Sequence, residues 1–206
     1  MATNRLISDL DRQFLDNLFG NLQSLLQDVR RQAEAIRADQ SRTSEWKARQ
    51  LAALQSAAKG RLSSWLDHLA EIQGQLGDLD PAYQLPQDPL EMARLTFLAD
   101  MLAKSGRPWA EIIQQADEDI LRAVYLLRPV LRILGIWTDA FEAQIRARRL
   151  QIDDAFKALE ERRQALKRQV AIAANNLHQA MTAIDELMDR GITLVDPKTT
   201  KLITIG

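Results

Sequence analysis

A seven-residue apolar repeat runs almost unbroken through residues 139–190 and constrains this chain more than any other feature. One seam position reads Arg149, Phe156, Arg163, Val170, Leu177 and Ile184. The other reads Ile145, Ile152, Leu159, Leu166, Ala173, Ala180 and Leu187. Apolar spacings of three and four belong to a helix buried along one stripe against other helices. A single helix over these residues would be roughly 78 Å long, at about 1.5 Å per residue. A compact globule of 206 residues would span only roughly 45 Å. The repeat therefore predicts an elongated, helical molecule.

The remaining sequence supplies partners for that helix. Leu15, Leu18, Leu22, Leu25, Val29 and Ile36 form a three-four stripe, predicting a first helix from Ser8 to Ala38. The segment from Asp39 to Ser44 carries turn and cap chemistry, so a second helix is expected from about Thr43 to Leu76. A single helix through that segment is the alternative. Residues 77–88 are too rich in proline for a helix and read as a linker or loop.

Asp88, Pro89 and Glu91 then form the strongest helix start in the chain, with an end at Ser105–Gly106. Pro108 opens a further helix with the stripe Trp109, Ile112, Ile113, Ala116, Ile120, Val124 and Leu127. Pro129 kinks or ends it. Asp139 with Glu142 reads as the cap pair of the long helix, which Gly191 terminates. Two β-branched runs, 192–195 and 202–205, flank an Asp-Pro turn and predict a hairpin.

The fold expected is all-α: an elongated antiparallel coiled-coil bundle with an inserted small helical head and a short C-terminal β-hairpin. The division read from the sequence is an N-terminal arm and linker (1–87), the head (88–137), the long helix (138–190) and the hairpin (191–206).

The motifs of chemistry are sparse. With no cysteine, thiol catalysis and cysteine-ligated metals are excluded. His68 and His178 flank buried stripes, and neither has a partner at metal-ligand spacing. Adjacent acids such as Asp153–Asp154 and Glu160–Glu161 diverge by about 100° on a helix, so they do not form a paired acid–base site. No phosphate-binding glycine loop or nucleophile elbow is present. No catalytic residue, cofactor or metal ligand is assigned, and an enzyme is not expected.

Charge is dense but balanced, with 27 basic and 28 acidic side chains, which gives no overall drive towards nucleic acid. Arg146, Arg148, Arg149, Arg162, Arg163, Lys167 and Arg168 surround their helix among acids, where a phosphate-binding surface would segregate them. No segment is apolar enough to span a bilayer. The nearest, residues 124–137, is interrupted by Arg128, Pro129 and Arg132. The first residues lack a secretory signal. A cytoplasmic protein is expected, or a virion protein if phage-encoded.

These features favour a structural or assembly protein: a connector, scaffold, or virion or secretion-machine component. It would homo-oligomerise or bind assembly partners by coiled-coil packing, with the hairpin as a docking element. The interface residues expected are Arg149, Phe156, Arg163 and Val170 in the seam, with Ile192, Leu194, Leu202, Ile203 and Ile205 in the hairpin. The seam arginines stand where apolar residues belong, and an acid on another helix is the favoured partner for Arg163, fixing register. The alternatives are a nucleic-acid-associated factor using the arginine-rich helix, and a monomeric adaptor or inhibitor that captures one partner protein.

Overall fold

The computed structural model describes residues 6–77, 83, 86–186 and 191–205. Its helices are α1 (Asp9–Ala38), α2 (Ser44–Gln75), α3 (Pro89–Lys104), α4 (Trp109–Gln115), α5 (Glu118–Leu126), α6 (Arg128–Ile133), α7 (Asp139–Ile152) and α8 (Asp154–Asp185). Strands β1 (Ile192–Val195) and β2 (Leu202–Ile205) follow. Most of the expected linker after Gly77, and the end of the long repeat with Leu187, lie outside the described residues. The chain divides into two compact units, one of residues 1–77 with 163–206 and one of residues 78–162.

In the first unit, α1, α2 and α8 share one core. Leu18, Leu22 and Leu26 of α1 meet Leu62, Leu69 and Ile72 of α2, and Val170, Leu177 and Ile184 of α8. The cross-links between helices give their directions. His68, late in α2, bonds Asp11 at the start of α1. Gln55, early in α2, donates to the Ile184 and Asp185 carbonyls at the end of α8. Each neighbour of α2 thus runs against it.

Between α1 and α2 the chain turns. Asp39 Oδ1 accepts from the backbone N–H and hydroxyl of Ser41, and Thr43 caps α2 by accepting from the Trp46 N–H. Short polar side chains here satisfy amides that a continuous helix would have to pair itself. Helices one and two are therefore separate.

The hairpin pairs Ile192 with Ile205 and Leu194 with Ile203 in antiparallel register. Alternation puts these four on one face. Leu194 and Ile205 are buried in the three-helix core, and Ile192 packs against it. Asp196 builds the turn, accepting from the Lys198 N–H and the Thr199 hydroxyl. Those bonds, the hydroxyl first, hold its carboxyl below the usual range. Lys198 ties the turn to Asp16 of α1 at 2.7 Å.

The second unit is a separate core. Ile112 and Ile113 of α4, Leu121, Val124 and Tyr125 of α5, Leu131 of α6, and Trp137, Phe141 and Ile145 pack together. Tyr125, Trp137 and Phe141 make successive edge-to-face contacts at 5.2 and 5.5 Å between ring centroids. α3 lies against α5, burying Leu95 and Ala99. Gly106 adopts φ +68° beyond the end of α3, and Gly135 adopts φ +70° after α6. Both sit in the left-handed region that glycine enters without a Cβ penalty.

Three sequence expectations need correction here. The stripe from Trp109 to Leu127 is two helices, because Ala116 is extended and Asp117 caps α5 by accepting from the Ile120 N–H. The cap of α7 is Thr138, which accepts from the Phe141 N–H. Asp139 is its first helical residue, and Glu142 accepts from the Trp137 indole instead.

The third correction concerns the long repeat, which is not one helix. Asp153 leaves helical geometry at φ −116°, ψ 96°. Its N–H still closes α7 on the Arg149 carbonyl, while its Oδ1 accepts from the Phe156 N–H and opens α8. A side chain that can cap the next turn competes with the helical bond of its own backbone. The apolar repeat carries across this break because the seam spacing constrains side chains, not hydrogen bonds.

Candidate functional site

The expected interface residues separate into two groups. In the first unit Val170, Leu194 and Ile205 are buried in the core, Ile192 and Ile203 are half-buried, and Leu202 is 73% exposed. Arg163 is only 2% exposed, and its Nη1 donates to the Gly77 carbonyl at 2.9 Å and to that of Leu76 at 3.4 Å. Its guanidinium therefore caps the C-terminal end of α2, where carbonyls lack helical partners and the dipole favours a cation.

In the second unit Arg149 and Phe156 come together at the α7–α8 junction. The Arg149 guanidinium lies 3.9 Å from the Tyr83 ring centre and 4.2 Å from that of Phe156. Its Nε donates to Asp153 Oδ2 at 2.9 Å. A cation between two ring faces with a carboxylate at its edge is a mutually supporting arrangement. Burial alone would raise the Asp153 carboxyl, but the Phe156 N–H and Arg149 outweigh it and hold it below the usual range. Burial pushes the Tyr83 phenol up to about 12, against the opposing pull of Arg149. Arg149 and Asp153 face each other in this cluster, while the buried Tyr83 hydroxyl has no hydrogen-bond partner among the described residues.

Ser8, Asp11 and His68 form the one hydroxyl–carboxylate–imidazole group described. The Ser8 hydroxyl donates to Asp11 Oδ2 at 2.6 Å, and His68 Nε2 lies 2.8 Å from Asp11 Oδ1. The carboxylate thus stands between hydroxyl and imidazole, whereas nucleophile activation places the base against the hydroxyl. His68 also stacks on Phe14 at 4.1 Å. This group caps α1, since the Asp11 N–H donates to Ser8 Oγ, and clamps it to α2.

A groove of about 340 Å³ runs between α4 and α7, lined by Ala110, Ile113, Gln114, Gln144, Ala147 and Arg148. Arg148 is committed within the protein, donating to the Ala116 carbonyl at 2.8 Å and to Gln151 at 3.1 Å. Among the described residues no group of three His, Cys, Asp or Glu could hold a metal ion. No helix among them is long and apolar enough to cross a membrane.

What stands out is an apolar surface on the second unit. α3 buries Leu95 and Ala99 but leaves Leu90 78%, Phe97 66% and Met101 54% exposed. On a helix, positions 90, 97 and 101 fall on one side, because seven residues make almost two turns. Val130, Ile133 and Leu134, at spacing i, i+3, i+4, form a second exposed apolar group at α6. Scattered surface apolar residues are ordinary, but aligned ones mark contact surfaces.

The sequence carried this signal unread. α3 has two apolar stripes: Leu95, Ala99 and Leu102 inward, and Leu90, Phe97 and Met101 outward. A helix of an isolated unit needs only one.

No protein-family model, curated protein or solved structure matches the chain.

Proposed function

We propose that this chain is a non-catalytic assembly protein, a connector or scaffold that works by helix packing, with the outward face of α3 as its principal contact surface. The carrying observation is the exposed line Leu90, Phe97 and Met101 on a helix whose other side is already buried. Burying apolar area contributes about 25 cal/mol per Å², and aromatic residues and methionine are enriched at the centres of protein interfaces. In this reading association follows coiled-coil rules, with one helix stripe received by another.

The hairpin has the lesser part. Leu194 and Ile205 are committed to the core of its own unit, leaving Leu202 as its exposed large apolar side chain.

Photo-crosslinking tests the proposal. A photo-reactive residue at position 97 or 133 should yield discrete protein adducts in the cell that makes the chain. The same residue at Gln50, exposed on α2, should yield none. Equal labelling from the three positions, or adducts from none, would overturn the assembly reading.

A further inference from the structure

We infer that the occupant of the α3 face is the α3 of a second copy of this chain, packed antiparallel about a twofold axis near Phe97. This inference rests on the assembly reading above and names its partner. α3 runs Pro89–Lys104, so Phe97 stands at its midpoint. A twofold there sets Phe97 against its counterpart, with Met101 beside the Ala93–Arg94 step of the other copy. Leu90 then covers the aliphatic stem of Lys104 from the other copy. An isologous contact needs such a self-complementary patch.

Charge selects the direction. Charges flank the apolar line, with Arg94 in the N-terminal half of α3 and Asp100 and Lys104 in the C-terminal half, and a twofold at Phe97 sets Arg94 opposite Asp100 of the other copy. Antiparallel pairing thus brings unlike charges together and opposes the helix dipoles favourably, whereas parallel pairing sets each charge against its own copy. The present partners of Arg94 and Asp100, Asp119 and Lys104, form exposed ion pairs that exchange at little cost. A contact along a helix of about 24 Å is small for a protein interface, so the dimer dissociates on dilution.

The chain has no cysteine, which makes disulfide trapping a clean test. Leu90→Cys and Lys104→Cys chains are prepared separately, oxidised alone, and oxidised as a mixture. A disulfide needs Cα atoms within about 7 Å. Antiparallel pairing brings position 90 to position 104 of the other copy. It leaves the two copies of position 90 about 21 Å apart along the helix axis. The mixture should therefore give a covalent dimer, and each variant alone should give much less.

Adding Phe97→Glu to both variants should abolish the crosslink without lowering the thermal stability of the dilute, reduced monomer, because Phe97 is 66% exposed. Dimer formation by Leu90→Cys alone would show parallel pairing and overturn the inference. So would a mixture that stays monomeric. If photo-adducts at position 97 have the mass of a different protein, the second-copy inference fails while the assembly reading stands. If no adduct forms at all, both fail.

Discussion

Asn176 and Val195 exchange two hydrogen bonds that close part of the hairpin edge. Asn176 Nδ2 donates to the Val195 carbonyl at 2.6 Å, and the Val195 N–H donates to Asn176 Oδ1 at 3.0 Å. The Asp196 N–H pairs with the Lys201 carbonyl, so by ladder alternation the Val195 amide groups point away from β2. A strand edge presents such groups to any passing chain. Here a fully buried carboxamide from α8 takes the place of a third strand. Asn176→Leu should destabilise the fold by about 2–5 kcal/mol, since two backbone groups lose their partners. Urea denaturation measures the loss, and amide exchange at Val195 locates it.

Arg163 gives a prediction of opposite sign to that of a register-setting seam charge. Were it merely a polar interruption of an apolar seam, an apolar replacement would keep or raise stability. Because it bonds the Leu76 and Gly77 carbonyls, Arg163→Met should lower stability by about 1–3 kcal/mol. The shift in thermal midpoint decides between them.

The Ser8–Asp11–His68 clamp should appear in acid. The Ser8 hydroxyl, then His68, hold the Asp11 carboxyl below its ordinary value. The folded state therefore favours the ionised form. Its contribution is complete above the unfolded carboxylate value of about 3.9 and is lost as pH falls through the lower folded value. Asp11→Asn should flatten this acid limb of the stability curve, measured by urea midpoints between about pH 6 and about pH 2.

The heptad seam was legible because each of its buried positions obeys one local rule. Leu166, Val170, Ala173, Leu177, Ala180 and Ile184 all lie in the core of the first unit. Caps at Thr43 and Asp88 were equally readable, since a short polar side chain before an apolar stripe has few other uses. The breaks at Asp117 and Asp153 were not. Each acid sits among others in a helical pattern, and only its hydrogen bond to the N–H three residues on distinguishes a cap from a surface charge. In a seam, burial within the chain and burial against a partner leave the same sequence pattern. The exposure of Phe97 was not legible, because a surface face is defined by what another helix does not cover, and that depends on tertiary packing.

The central claim, that the chain works by association through α3, is tested most directly by sedimentation equilibrium of the full chain and of Phe97→Glu over a concentration series. The native chain is expected to associate reversibly as concentration rises, and Phe97→Glu to remain at the 23.4 kDa monomer mass, with a melting temperature equal to that of the native chain at dilutions where both are monomeric. A native chain that stays monomeric throughout, or a variant that associates as the native chain does, would contradict it.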